Sequence, residues 1–239
     1  MKKINTNIIV FSVAIMLTAN SCNTVRRTSD QNKGIVVGTA GGGVIGGLIG
    51  NSVGGKNSTA LGAIFGAVVG GVAGGIIGNK MDRQAEKIKT EVPGAKVQRI
   101  GEGIDVTFDE NNPDGSKEGV YFMTNKYNIS SNSELALKKL QKIFAEYPET
   151  NILIEGHTDD VGSDKDNMKL SQRRAEAVGS YLKSAGISSS RLIIKYYGEG
   201  QPKVENTTAE NRALNRRVQF VITANDKMKE DAKKESIKN

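Results

Sequence analysis

The stretch GHTDDVGSDKDNMKLSQRRAEAV, residues 156 to 178, holds the only histidine of a 239-residue chain, four aspartates and the adjacent pair Arg173-Arg174. Three kinds of chemistry could use it. A calcium loop started at Asp164 has Asp166 in third place, but Met168 fifth, Lys169 sixth where glycine is needed, and Ala175 twelfth, so it fails. Zinc needs several nitrogen or sulfur ligands, and the whole chain offers His157 and the single cysteine Cys22. No metal and no cofactor is expected. For hydrolysis His157 would need a nucleophile and an orienting partner, yet no nucleophile-elbow motif surrounds Ser163 or Ser171. Nothing in the sequence would raise the pKa of one of the neighbours Asp159 and Asp160 above the other. A catalytic reading is disfavoured, and His157 is expected to be a hydrogen-bonded structural residue.

A ligand pocket fits the spacing better. Asp159 stands where an expected strand opens into a loop, a usual place for a grafted site. Asn167 is placed to cap the next helix. Arg174 follows two turns later on the same face as Asn167, Leu170 and Val178, whereas Arg173 is rotated by about 100° toward solvent. A carboxylate and a guanidinium in one pocket could grip both ends of a zwitterion, Asp159 taking the ammonium and Arg174 the carboxylate. Spacing alone leaves two alternatives open: that Asp159 and Arg174 pair with each other, or that the two arginines are a solvated helix face.

The elements that would position these residues begin at Gly119. An apolar strand is expected at 119–123, a helix at 133–147 with Leu135, Leu137, Leu140, Ile143 and Phe144 at helical spacing, and a strand at 151–155. A helix at 167–185 and strands at 191–197 and 217–223 follow. This alternation predicts an α/β fold with helices on one side of a mixed sheet. Upstream, 81–92 reads as a short helix and 96–108 as a β-hairpin within a connector spanning 80–118. The last residues, 226–239, are charged and free of aromatics, and are expected to be disordered.

The N-terminal part has another character. Lys2 and Lys3 precede the apolar run 8–17, which ends in Ala19-Asn20-Ser21-Cys22. Such a run is short for a bilayer span and reads as a targeting segment over 1–21. It resembles a bacterial lipoprotein signal, which implies cleavage before Cys22 and lipidation of its thiol, followed by a linker at 22–33. The alternative is a plain secretory signal beside a chance free cysteine.

Of 28 glycines, 17 fall between Gly34 and Gly78, where Lys56 is the one charge. Gly34, Gly38, Gly42, Gly46, Gly50 and Gly54 are four apart, and the series resumes at Gly62, Gly66, Gly70, Gly74 and Gly78. A period of four lines one helix ridge with small residues, the pattern that lets membrane helices approach closely. Residues 34–79 therefore read as a glycine-zipper hairpin turning near 51–59, which embeds in a membrane or forms a homo-oligomer. The alternative is a flexible linker, but linkers pair Gly with Ser rather than with Ile and Val. The net charge of +7 would suit an anionic surface, but no basic stripe interleaved with aromatics is present, and nucleic acid is not an expected partner.

The segments IEGHTDDVGSDKDNMKLSQRRAEAVGSYLKSAGI, YYGEGQP and NRALNRRVQF together resemble the OmpA-like peptidoglycan-binding domain over 119–224. With the zipper upstream, the layout is similar to YiaD-type glycine-zipper lipoproteins. The resemblance implies a βαβαβ-type domain over 119–225 and no enzymatic activity. It implies non-covalent binding of peptidoglycan through the free amino-acid end of diaminopimelate, held by Asp159 and Arg174 with Asn167 assisting. Asn215 and the Asn-Arg-Arg segment at 215–217 would shape the site, with neither Arg216 nor Arg217 a direct ligand. The loop 109–118 looks longer than the family's. The whole then reads as a lipid-anchored cell-envelope protein, on the outer membrane and facing the periplasm, that tethers membrane to wall. The rival reading is an oligomeric membrane-inserted zipper assembly, positioned by wall binding.

Overall fold

A computed structural model describes residues 72–110, 119–123 and 125–238. Cys22, the expected signal and linker, and the zipper over 34–71 lie outside the described residues. Among those described, no helix is long and apolar enough to cross a membrane.

The described chain opens with α1, Val72–Glu91, which runs through the last zipper glycines and the charged segment as one helix. The expected boundary at 79/80 thus falls inside an element. Its buried apolar residues Ala73, Ile77, Met81, Ala85 and Ile88, continued by Val92 just past its end, recur every three or four positions and make one apolar stripe, with Gln84 buried beside it. The hairpin follows as β1, Lys96–Ile100, and β2, Gly103–Asp109. Next come α2, Ser131–Glu146, β3, Thr150–Gly156, and α3, Asp164–Ser184. A 3-10 turn at Ser189–Arg191 leads into β4, Leu192–Tyr196. The chain ends with α4, Ala209–Asn215, β5, Arg217–Ala224, and α5, Asp226–Lys238.

The five strands form one mixed sheet in the order β1-β2-β5-β3-β4. Only β3 and β4 are parallel, as the connection through α3 requires, and the other pairs are antiparallel. The hairpin expected in the connector is therefore an integral edge of the sheet, with Phe108 opposite Val218 and Val106 opposite Phe220. Strand alternation sends Ile104, Val106, Phe108, Ile152, Ile154, Val218, Phe220 and Ile222 into the main core. Phe220 stands at its centre, edge-on to Phe108 at 5.8 Å and tilted against Phe144 at 6.3 Å. From α2 come Leu137, Leu140, Ile143 and Phe144, but Leu135, expected with them, is exposed because it lies off their stripe. Arg191 fastens the end of α2 to the start of β3 by donating to the carbonyl oxygens of Phe144, Tyr147 and Thr150.

Two further expectations are corrected. Residues 119–123 are not a strand, although Val120 and Phe122 are buried. Their backbone groups pair with side chains instead: Ser133 Oγ donates to the Tyr121 carbonyl at 2.8 Å, and Arg174 donates to that of Met123 at 3.3 Å. Nor is the C-terminal segment disordered. It forms α5, which buries Met228 and Ala232 in the same core as the α1 stripe, so two apolar residues outweigh a charged composition. Glu149, in the turn after α2, accepts hydrogen bonds from Lys80 of α1 and Lys227 of α5.

Met228→Asp, which forces a charge into that core, should lower the unfolding free energy by about 2–4 kcal/mol. Urea denaturation followed by circular dichroism checks this. An unchanged midpoint would mean that α5 is not part of the folded unit.

Candidate functional site

β3 delivers Gly156, His157, Thr158 and Asp159 to the sheet's end, and α3 returns across that end. Gly156 is needed there because a Cβ would lie 2.3 Å from the Ser171 carbonyl oxygen of α3. The return loop from β4 closes the same corner. Gly198, at φ +55°, donates from its N–H to Ser171 Oγ at 2.9 Å and accepts from the Thr158 N–H at 2.9 Å. A Cβ at Gly198 would press on the Asn167-Met168 backbone at about 3.0–3.2 Å.

Within this corner the three expected site residues converge, all buried: Asp159 is 7 % exposed, Asn167 4 % and Arg174 3 %. Asn167 is not the helix cap. Ser163 caps α3, its Oγ accepting from the Asp166 N–H at 3.1 Å. Asn167 lies in the first turn and points its amide inward, donating to the Asp159 carbonyl at 3.2 Å and to Glu199 Oε2 at 2.6 Å. Arg174 does face inward and Arg173 outward, as the helix phase predicts, with Arg173 resting on the exposed Tyr127 ring at 5.1 Å. Arg174 donates from Nε to the Lys126 carbonyl at 3.0 Å and from Nη2 to that of Met123, and its guanidinium covers the Phe122 ring at 5.3 Å. Burial pulls its pKa down, while the carboxylates of Glu110 and Asp159 oppose that shift.

Asp159 and Arg174 do not pair with each other. Asp159 Oδ2 accepts instead from Arg216 Nη1 at 2.7 Å, and Oδ1 accepts from the Val161 N–H at 3.2 Å, which fixes the loop. Arg216, at the junction of α4 and β5, also donates from Nε to Glu110 Oε2 at 2.7 Å. Glu110 and Glu199 are thus site residues that sequence reasoning missed, and Arg216, expected only to shape the site, bonds Asp159 directly. The signal for Arg216 lay in the Asn-Arg-Arg-Val run at 215–218, but only the sheet's strand order brings it beside β3. Asn215 is a scaffold: its side chain accepts from the N–H groups of Lys203 and Val204 and donates to the Val204 carbonyl.

His157 is buried and stacked on Tyr197 at 5.2 Å; its ring nitrogens make no hydrogen bond of good geometry, and the Gln201 backbone is only a weak partner. Burial, and then the charge of Arg217, push its pKa well below the ordinary value, against a smaller opposite pull from the Gln201 backbone. On the far face of the sheet Asp105 and Glu155 are shifted up, chiefly by burial, with Gln219 donating to the first at 2.7 Å and Tyr197 to the second at 3.1 Å. The corner itself presents fixed charges of both signs, Asp159 and Arg174, in a buried setting.

Residues 121–216 match the OmpA family, and residues 1–82 match the YMGG-like Gly-zipper. The chain is 31 % identical over 145 residues to the probable lipoprotein YiaD of Escherichia coli, a match covering 60 % of this chain and 63 % of that protein. It is 34 % identical over 98 residues to the peptidoglycan-associated lipoprotein of Buchnera aphidicola, covering 41 % of this chain and 57 % of that one. It spans less than two thirds of the length of either relative. Among solved structures it is similar to a MotB-like protein of Desulfovibrio vulgaris, with a TM-score of 0.52 and 29 % identity over 62 % of this chain and 93 % of that one.

The His157 environment sets a pH dependence. The native imidazole refuses a proton that the unfolded one accepts below its ordinary value of 6.5, so stability falls as pH drops through that value. Asp105 and Glu155 have the opposite sign, because raised carboxyl pKa values favour the native state at low pH and lose that contribution as pH rises. Urea midpoints measured from pH 7 down to about 5 should therefore decline in the wild type and decline less in His157→Phe, which keeps the stacking on Tyr197. Equal slopes would assign the decline elsewhere.

Proposed function

We propose, from the match of residues 121–216 to the OmpA family and of residues 1–82 to the YMGG-like Gly-zipper, that the protein binds peptidoglycan non-covalently and holds a cell-envelope membrane to the wall. The carrying observation is the convergence of Asp159 and Arg174, two buried and oppositely charged groups from different elements, in one corner of the domain. The Buchnera relative is named for its association with peptidoglycan, and both relatives are named as lipoproteins.

In this reading the ligand is the free amino-acid end of diaminopimelate in the stem peptide. Its carboxylate meets the guanidinium of Arg174, which makes no hydrogen bond from Nη1 among the described residues. Its ammonium meets Asp159. Asn167 holds the Asp159 backbone and so fixes the distance between the two ends. Recognition of both charges at once excludes a stem whose terminal group is blocked, and no bond is made or broken. Cys22 carries the lipid, the outer membrane receives it, and the domain faces the periplasm.

A second reading is favoured by the match of residues 1–82 to the Gly-zipper family: an oligomeric, membrane-inserted zipper is then the working part, and wall binding positions it. Alkaline carbonate extraction of membranes carrying Cys22→Ser separates the two. Release into the soluble fraction supports a lipid tether, whereas retention supports an inserted hairpin.

Sedimentation with insoluble sacculi tests the wall-binding reading directly. The full chain in detergent should sediment, and Asp159→Ala and Arg174→Ala should each lose at least tenfold in affinity, the scale of one truncated buried charged contact (about 2 kcal/mol or more). Equal sedimentation of all three proteins would reduce the corner to a structural ion-pair cluster.

A further inference from the structure

Asp159 is already engaged. One oxygen holds the Val161 N–H and the other the Arg216 guanidinium, and its side chain is 10 % exposed. A ligand ammonium thus meets a carboxylate that has a cation on it. Arg216, by contrast, is 27 % exposed and has a second anchor through a different nitrogen, its Nε donating to Glu110 at 2.7 Å. Its main chain is fixed at the end of α4, where the Arg216 N–H donates to the Arg212 carbonyl at 3.0 Å, so the side chain can shift without moving the backbone.

We infer that Arg216 is an internal counter-cation that determines specificity: it holds Asp159 until an ammonium displaces it, and Glu110 receives it when it withdraws. This rests on the wall-binding reading above. The arrangement follows from charge balance. Two cations on one carboxylate repel at contact distance, and the repulsion is strong where water is largely excluded. An arginine with no other partner would pay a desolvation cost on release, whereas one shared with Glu110 leaves a formed pair behind. A neutral donor, such as an amide or a blocked amine, lacks the charge to displace the guanidinium. Arg216 therefore excludes neutral groups from a position that a bare Asp159 would let them occupy. Because Asp159 keeps its bond to the Val161 N–H, its carboxylate stays in place when Arg216 leaves.

Two substitutions then act in opposite directions, which a merely structural cluster would not give. Arg216→Gln frees Asp159 and should tighten binding of an ammonium ligand, and Glu110→Gln leaves Arg216 fully on Asp159 and should weaken it, each by about three- to fivefold for partly exposed ion pairs. The probe is a synthetic stem tripeptide ending in meso-diaminopimelate, with its ε-amine free or acetylated, titrated against the full chain in detergent at low and high salt. The expected result is tighter binding of the free amine by Arg216→Gln and weaker binding by Glu110→Gln. The preference for free over acetylated amine should shrink in Arg216→Gln. Weaker or equal binding by Arg216→Gln, with wild type binding and Arg174→Ala failing, overturns the counter-cation role alone. Should Arg216→Gln not fold, Glu110→Gln decides: unchanged binding overturns the role. If wild type binds neither peptide, the wall-binding reading itself falls.

Discussion

Everything at the site depends on how closely α3 lies on the end of β3. The contact is backbone against backbone, because Gly156 has no Cβ to hold the Ser171 carbonyl away, and Gly198 wedges the β4 return loop under the same turn of helix. Closeness of this kind cannot be supplied by longer side chains. It sets the distance from Asp159 on the loop to Asn167 and Arg174 on the helix, and it excludes the water that would screen their charges. The same contact explains why the corner is rigid. Thr158, Gly198 and Ser171 form a short hydrogen-bonded chain from strand to loop to helix, so no member can shift alone.

The charges in this corner are balanced pairwise and not simply collected. Asp159 has Arg216, Arg216 has Glu110, Asn167 bridges to Glu199, and Arg174 is satisfied by backbone carbonyls with an aromatic ring beneath it. Of the two buried or half-buried arginines at this corner, Arg216 is bonded to carboxylates and Arg174 is not, and Arg174 is the most buried of the three expected residues. A guanidinium anchored by neutral carbonyls keeps its charge uncompensated by a bonded carboxylate. The missing strand at 119–123 has its reason here: those carbonyls serve Arg174 and the side chain of Ser133 in place of a neighbouring strand.

What could be read from sequence followed from periodicity and local spacing. The phase of α3 separated Arg174 from Arg173 correctly, and the order of strands and helices gave the α/β class. Pair partners across the sheet were not legible, since Arg216 is 57 residues from Asp159 and 106 from Glu110. The strand order β2-β5-β3 alone makes them neighbours. The cap of α3 was misplaced by one turn because Ser163 and Asn167 are both good capping residues and the loop length was unknown. Composition misjudged the C-terminal segment, where Met228 and Ala232 are spaced to reach one groove although most of their neighbours are charged.

The long buried stripe of α1 has a mechanical consequence. Any pull on the chain upstream of Val72 enters the domain at one end of a helix about 30 Å long. Five apolar residues from Ala73 to Ile88, and Val92 just past its end, grip it along that length, and the ion pair from Lys80 to Glu149 ties it sideways to the turn before β3. Load arriving along the helix axis must slide the stripe past its groove, engaging all six contacts together. Load across the axis would peel them off one turn at a time. The fold is accordingly strong along the line of α1 and weak across it.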